Sequence, residues 1–150
     1  MRMRLEVEGV ETIVAALRDM RHDLARRHLA AAVRAGAEVI REEAQHRAPV
    51  DTGALREDIK TRRVMNPVDA PVEYRVANSK ETFYARFVEF GHAKVKPGQY
   101  RQYRATLRAN REWSGGYVPP RPFMRPAFDA KREEAQRVIA RELKRRLRLK

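Results

Sequence analysis

Asp51-Thr52-Gly53-Ala54 is the stretch whose residue types could most directly do chemistry. An Asp-Thr-Gly triplet on a loop is the sequence of aspartic proteases, in which two carboxylates share one proton. One copy in 150 residues would require a dimer to pair two aspartates. The preceding pattern is a helix that ends at Pro49 rather than an apolar strand, and no Gly-rich flap hairpin follows. A protease dimer is therefore the weaker interpretation, and a junction without chemistry is the stronger one.

The remaining candidate nucleophiles and metal ligands lie in no catalytic pattern. The four histidines lack the His-x-x-x-His and His-Glu-x-x-His spacings of metal sites; they are His22, His28, His46 and His92. Neither serine, Ser79 or Ser114, lies in a Gly-x-Ser-x-Gly elbow, and there is no Gly-rich phosphate loop. Glu89, between Val88 and Phe90, is expected to bond a nearby arginine or backbone amide. The sequence predicts a protein that is not an enzyme and uses no cofactor.

The net charge of +13 is the dominant feature of the composition. A basic surface attracts phosphates, acidic proteins and anionic membranes alike, so it defines an electrostatic class rather than a partner. The absence of cysteine fits a reducing compartment. No apolar run approaches the roughly 20 residues that span a bilayer, so we expect no membrane association and synthesis in the cytoplasm.

Apolar spacing predicts the elements that precede the junction. Residues 3–7 alternate as a short strand, and 10–47 carry a helical spacing with a break near 21–23. Pro49 ends this helix, because the residue before a proline avoids the helical conformation. Asp51 or Thr52 is expected to cap a new turn, and Gly53 to make the bend. Leu55 then points into the core.

After the junction, the pattern changes to strands and short helices. Residues 59–65 and 72–76 predict an antiparallel hairpin, and 83–90 a short helix ended by Gly91. A long basic segment at about 93–118 follows, with a possible helix at 102–112. Pro126 suits the first turn of a final helix. The predicted fold is one α+β domain, a small curved antiparallel sheet packed against a long N-terminal helix and a C-terminal helix.

Three stretches in this order resemble the tail-component family of tailed bacteriophages: Ala-Pro-Val-Asp-Thr-Gly-Ala-Leu-Arg at 48–56, Tyr-Ala-Arg-Phe-Val-Glu-Phe-Gly at 84–91, and Pro-Arg-Pro-Phe-Met-Arg-Pro-Ala at 120–127. The resemblance extends over nearly the whole chain. It implies a structural neck or tail-completion protein that forms a ring, usually a hexamer, at the head–tail junction. The ring would join tail to head, with DNA passing through its lumen, in a virion assembled in the bacterial cytoplasm.

The resemblance also assigns structural roles to individual residues. The junction set is Pro49, Asp51, Thr52, Gly53 and Leu55. The core and interface motif comprises Tyr84, Val88, Glu89, Phe90, Gly91, Pro122, Phe123 and Pro126. The chain departs from the family pattern at Gly91-His92, where Gly-Thr is usual, and in its long basic segment.

We expect this segment to be an insertion ordered by a neighbouring subunit or ring. Its aromatic and arginine residues are anchor types enriched at interfaces; the candidates are Tyr100, Tyr103, Arg104, Arg108 and Trp113. Expected partners are copies of the chain itself, neighbouring neck, connector or tail-tube proteins, and DNA in transit without sequence-specific binding. The alternative is a basic nucleic-acid-binding protein that uses the segment and the C-terminal helix, since aromatic residues among arginines suit stacking on single strands.

Overall fold

The computed structural model describes residues 10–67, 70–109 and 112–149. In chain order the elements are α1 (Val10–Arg18), α2 (His22–Arg47), α3 (Ala54–Asp58), β1 (Lys60–Arg63), β2 (Tyr74–Ala77), α4 (Ala85–Phe90), β3 (His92–Ala93), α5 (Tyr100–Arg108), β4 (Tyr117–Val118) and α6 (Met124–Leu147). The α+β class is as predicted. The strand expected at residues 3–7 lies outside the described residues.

The frame of the molecule is the pair α2 and α6, which pack along each other. Small residues let their backbones approach closely, since the distance between two helices is set by the side chains at the contact. Ala32 and Ala135 are fully buried, and Gly36 lies against Ile139. The helix α1 folds back onto this pair, so that Ile13 packs with Ala32, Ile139 and Leu143. The break between α1 and α2 falls at residues 19–21, close to the predicted position.

The junction after α2 turns the chain as expected, but Asp51 does not cap it. Gly53 has a φ of 86° and is itself the N-cap of α3, where its carbonyl accepts a hydrogen bond from the Glu57 amide at 3.0 Å. No side chain caps α3, and Asp51 is exposed. The capping role predicted for Asp51 is therefore wrong, because the helix begins two residues later than a cap at this position requires. Thr52 Oγ1 only accepts a long bond of 3.4 Å from the Ala54 amide.

The hairpin predicted after the junction is confirmed, with shorter strands. The antiparallel pair β1–β2 aligns Lys60 with Ala77 and Arg63 with Tyr74. Helix α2 packs against both strands, and Gln45 Nε2 donates to the Ile59 carbonyl at 3.0 Å. The second antiparallel pair, β3–β4, is separate from the first among the described residues. The predicted short helix is present as α4, which Gly91 ends with a φ of 73°. The second strand pair was not predicted.

Replacing Gly36 by Ala should destabilise the α2–α6 pair. An added Cβ would lie 2.5 Å from Ile139 Cγ1. Overpacking of this kind usually costs about 1–3 kcal/mol, of which the better helix propensity of Ala offsets about 1 kcal/mol. Urea unfolding of Gly36→Ala in wild-type and Ile139→Ala backgrounds measures the effect. The substitution should cost less when Ile139 is truncated; an equal cost in both backgrounds would rule out this contact as the cause.

Candidate assembly interface

Glu89, the penultimate residue of α4, joins that helix to the start of α6. Its Oε2 accepts hydrogen bonds from the amides of Phe123 at 2.7 Å and Met124 at 3.0 Å, and its Oε1 accepts from Arg125 at 3.1 Å. These amides belong to the first turn of α6, where backbone donors have no partner within the helix. A buried carboxylate is stabilised there both by the bonds and by the helix dipole. Of the two partners expected for Glu89, it has the backbone amides.

The apolar residues around this bond form the core between α4, the junction and α6. Phe123 is 1% exposed and lies in one cluster with Leu55 and Ile59, against which Tyr84 and Val88 pack. The Arg121 amide donates to the Val88 carbonyl at 2.7 Å, so the extended segment before α6 is also held to α4. Pro122 is exposed and Pro126 half-buried. The structure thus brings together residues from the junction and motif sets predicted from sequence.

Asp58 fixes the loop that leads into α4. The Thr82 hydroxyl and the Ser79 amide, the latter at 2.6 Å, both donate to Asp58 Oδ2. The bond from buried Thr82 is the main cause that lowers the pKa of Asp58 below its usual value; desolvation of the carboxylate opposes it. Asn78 Nδ2 adds a bond of 3.3 Å to the Leu55 carbonyl. The end of α3 and the start of α4 are therefore held together by polar contacts.

The opposite side of α4 is an exposed aromatic surface. Phe83, Phe87 and Phe90, which we call the aromatic face, are 69%, 44% and 68% exposed. The rings of Phe83 and Phe87 meet edge to face at 6.2 Å. Phe90 was among the residues expected from sequence, whereas Phe83 and Phe87 were not. Their i, i+4 spacing, on the side away from Tyr84 and Val88, was the available signal.

We call residues 92–118 the arm; its described parts, 92–109 and 112–118, are joined through β3 and β4. The Lys94 amide donates to the Gly116 carbonyl at 2.9 Å, and Trp113 Nε1 donates to the Lys94 carbonyl at 3.0 Å. The Tyr103 ring packs on Trp113 at 5.3 Å. Much of the segment expected to need a neighbour is thus held by its own contacts. The helix expected at 102–112 is α5, which begins two residues earlier and ends at Arg108.

Gly91 sets the arm against α4. With its positive φ, a Cβ at this position would lie 2.3 Å from Tyr117 Oη and 2.6 Å from the Val118 carbonyl oxygen. The space left by glycine lets Tyr117 Oη donate to the Phe90 carbonyl at 2.7 Å. A groove of about 510 Å³ remains between α4 and α5; its floor and walls include Phe87, Phe90, Tyr103, Leu107, Trp113 and Tyr117. We call it the arm groove.

Several charges are paired on the two long helices. Arg34 and Arg41 flank Glu38 on α2, and Arg47 pairs with Glu43 at 2.6 Å. On α6, Arg145 and then Arg146 hold the pKa of Glu142 down to about 2. Exposed pairs of this kind add little stability, but they neutralise much of the local charge.

The arm lacks such pairing. Within its described part, no carboxylate lies within ion-pair distance of five cations: Lys94, Lys96, Arg101, Arg104 and Arg108. Three of the candidate contact residues, Tyr100, Arg104 and Arg108, are exposed, whereas Tyr103 and Trp113 pack on each other. The arm therefore presents uncompensated positive charge beside an aromatic groove.

Among the residues the structure describes, no group of three or more His, Cys, Asp or Glu side chains could hold a metal ion. In the same part of the chain, no helix is both long and apolar enough to cross a membrane. The arrangement around α4 and the arm offers apolar area and positive charge, which are features of a binding surface.

Comparison with known families identifies the family to which the chain belongs. Residues 11–91, a little over half of the chain, match the family described as "Bacteriophage HK97-gp10, putative tail-component". The chain belongs to this phage tail-component family. Membership supports a structural role in the tail, a location in the virion and contacts with other phage structural proteins. The comparisons find no match among curated proteins or solved structures.

The matched range runs from α1 to Gly91 and includes the junction, the hairpin and α4. The arm and α6 lie beyond it. The third stretch of the resemblance, at 120–127, is thus outside the match, although Glu89 ties it physically to the matched part.

Replacing Glu89 by Gln should weaken the junction between α4 and α6. Gln keeps the shape but removes the charge and one acceptor, so we expect a loss of about 1–3 kcal/mol in the free energy of unfolding. Glu81→Gln, at an exposed carboxylate in the loop before α4, is the matched control and should change stability by less than about 0.5 kcal/mol. Equal effects of the two substitutions in denaturant unfolding would contradict the role of Glu89.

Thr82→Val should lower stability in a pH-dependent way. Because the folded-state pKa of Asp58 is lowered, its contribution is fully present above the ordinary carboxyl pKa of about 3.9 and is lost as pH falls through the lowered value. The stability difference between wild type and Thr82→Val should therefore be largest near neutral pH and shrink below about pH 4. Unfolding curves measured across this range test it. A difference that does not change with pH would exclude the Asp58 carboxylate as its source.

Proposed function

We propose that this protein is a structural subunit of the phage neck that forms a ring at the head–tail junction. The ring completes the tail and joins it to the head, and DNA passes through its lumen. A hexamer is the expected stoichiometry. Neighbouring neck, connector or tail-tube proteins are the expected partners on either side of the ring. Assembly of the subunits takes place in the cytoplasm of the host bacterium.

The aromatic face is the observation that carries this proposal. Phe83, in the turn before α4, and Phe90, at the end of α4, leave more than two thirds of their area in solvent, and both lie within the family match. Exposed aromatic clusters of this kind mark surfaces that another protein covers. Phenylalanine contributes apolar area without a polar group to satisfy, so its burial favours association strongly. In a tail component, the covering protein is a neighbouring structural subunit.

The shape of the interface suits a closed assembly. The aromatic face and the arm groove lie side by side and share Phe87 and Phe90. A surface of this kind on every copy can contact a different surface on the next copy, and such head-to-tail contacts close into rings when the rotation allows. DNA moving through the lumen gains nothing from tight phosphate contacts, so the positive charge belongs on surfaces that face other proteins.

The uncompensated cations of the arm favour one alternative, a basic nucleic-acid-binding protein. Tyr100 and the arm arginines are the residue types that bind single strands. The C-terminal cluster contributes less to such binding than its composition suggests, because Arg145 and Arg146 pair with Glu142. Tight DNA binding with a steep salt dependence, together with a monomeric protein, would favour this alternative.

Replacing the aromatic face should impair association without unfolding the subunit. We expect Phe83→Ser with Phe90→Ser to weaken self-association at least about tenfold. The two rings are exposed in the free subunit, so the substitutions remove apolar area that is buried only in a contact between subunits. Met65→Ser is the matched control, since Met65 is 89% exposed on a different part of the surface. Sedimentation equilibrium measures association, and thermal unfolding checks the fold. Unchanged association of the double variant would contradict the proposed interface.

A further inference from the structure

We infer that the arm groove of one copy receives the junction loop, residues 50–58, of the next copy. This inference rests on the proposed ring and names the two surfaces that meet in it. This segment, which includes α3, is singled out by the sequence, and the exposed side chains of Val50, Asp51 and Glu57 have no role in the fold described above.

The two surfaces carry charge of opposite sign. Residues 93–118 carry six basic residues and one acidic residue. Residues 50–58 carry three acidic residues, Asp51, Glu57 and Asp58, and one basic residue, Arg56. In a chain with a net charge of +13, the loop is therefore a local region of negative charge. Opposite charges on two surfaces steer their encounter and fix their relative orientation.

The loop also carries an apolar anchor. Val50 is 65% exposed and directly precedes Asp51, which is exposed as well. Pro49 stiffens the chain before it, and the left-handed Gly53 holds the turn after it. The loop is thus preorganised to present a branched apolar side chain next to a carboxylate, which limits the entropy lost on binding.

The arm groove is complementary to this pair of groups. Its volume of about 510 Å³ lies within the range of roughly 300–1,000 Å³ typical of binding cavities. Its aromatic walls suit the Val50 side chain. Arg104 and Arg108 lie four residues apart on α5, hence on one side of the helix, and both are exposed. Each follows directly after a residue that lines the groove, Tyr103 or Leu107. In the inferred contact, the two arginines lie beside the groove and face Asp51 and Glu57 of the second copy.

The two surfaces belong to different parts of one chain, so the contact is head to tail. Arm-to-arm contact would instead set two groups of uncompensated cations against each other, which is unfavourable. A head-to-tail contact leaves one free surface of each kind on every incomplete assembly, and it ends only when a ring closes. A second copy of this chain is therefore the occupant that the charges and the exposed valine favour.

A charge-swap experiment tests this contact in the full-length protein. The arm variant is Arg104→Glu with Arg108→Glu, and the junction variant is Asp51→Arg with Glu57→Arg. Each alone should weaken self-association at least about tenfold, because like charges then face each other. An equimolar mixture should recover wild-type association when the two variants alternate. The swapped arm then faces the swapped junction, and the unchanged arm faces the unchanged junction, so both contacts of every copy pair opposite charges. Arg62→Glu with Arg63→Glu, on exposed residues of β1, is the control and should associate as wild type does.

The outcomes separate the inference from the proposed function. Association of the wild type, loss in each variant and recovery in the mixture support the contact. If the wild type associates but the junction variant associates equally well, the groove is occupied by another surface and the inference is wrong. A mixture that stays dissociated overturns it in the same way. A wild-type protein that remains monomeric at every concentration would overturn the proposed ring itself.

Discussion

The bond between Glu89 and three amides of α6 is the interaction on which the exposed surface of this protein depends. A buried carboxylate without partners would be costly, but here its oxygens accept from Phe123, Met124 and Arg125. The same three amides would otherwise be unsatisfied donors at the start of a helix. The carboxylate and the amides therefore satisfy each other's hydrogen bonds, which lowers the free-energy cost of burying both. The consequence is a fixed orientation of α4, with Val88 toward the core and the aromatic face toward solvent.

The hydrogen bonds of Glu89 also link the part of the chain that matches the family to a part that lies outside the match. The matched range ends at Gly91, whereas the arm and α6 follow it. Helix α6 supports the matched part by packing along α2, since Gly36 and Ala135 let the two helices approach closely. The arm extends from the same point, where Gly91 leaves room for Tyr117. Its described cations lack carboxylate partners, whereas several cations of the long helices have them. A rigid frame thus carries a charged, aromatic extension.

Much of this fold could be predicted from the sequence, because the apolar spacing and the positions of proline and glycine indicated the same element boundaries. Pro49, Gly53 and Gly91 lie where the chain turns, and the helices between them follow their apolar spacing. The error at Asp51 arose because a helix start shifted by two residues changes which residue can cap it. The partner of Glu89 could not be chosen from sequence, since its three donors are 34 to 36 residues away. Phe83 and Phe87 were missed because phenylalanine is usually buried, and only tertiary packing shows which side of this region faces solvent.

The central claim is that this tail component works as a closed ring of identical subunits. Native mass spectrometry of the nuclease-treated protein tests it most directly, because it counts copies of a 17.5 kDa chain without reference to any partner. The account predicts one discrete species of defined copy number, expected to be six, that persists after nucleic acid is removed. A monomer at all concentrations, or an assembly that disappears with the nucleic acid, would contradict it.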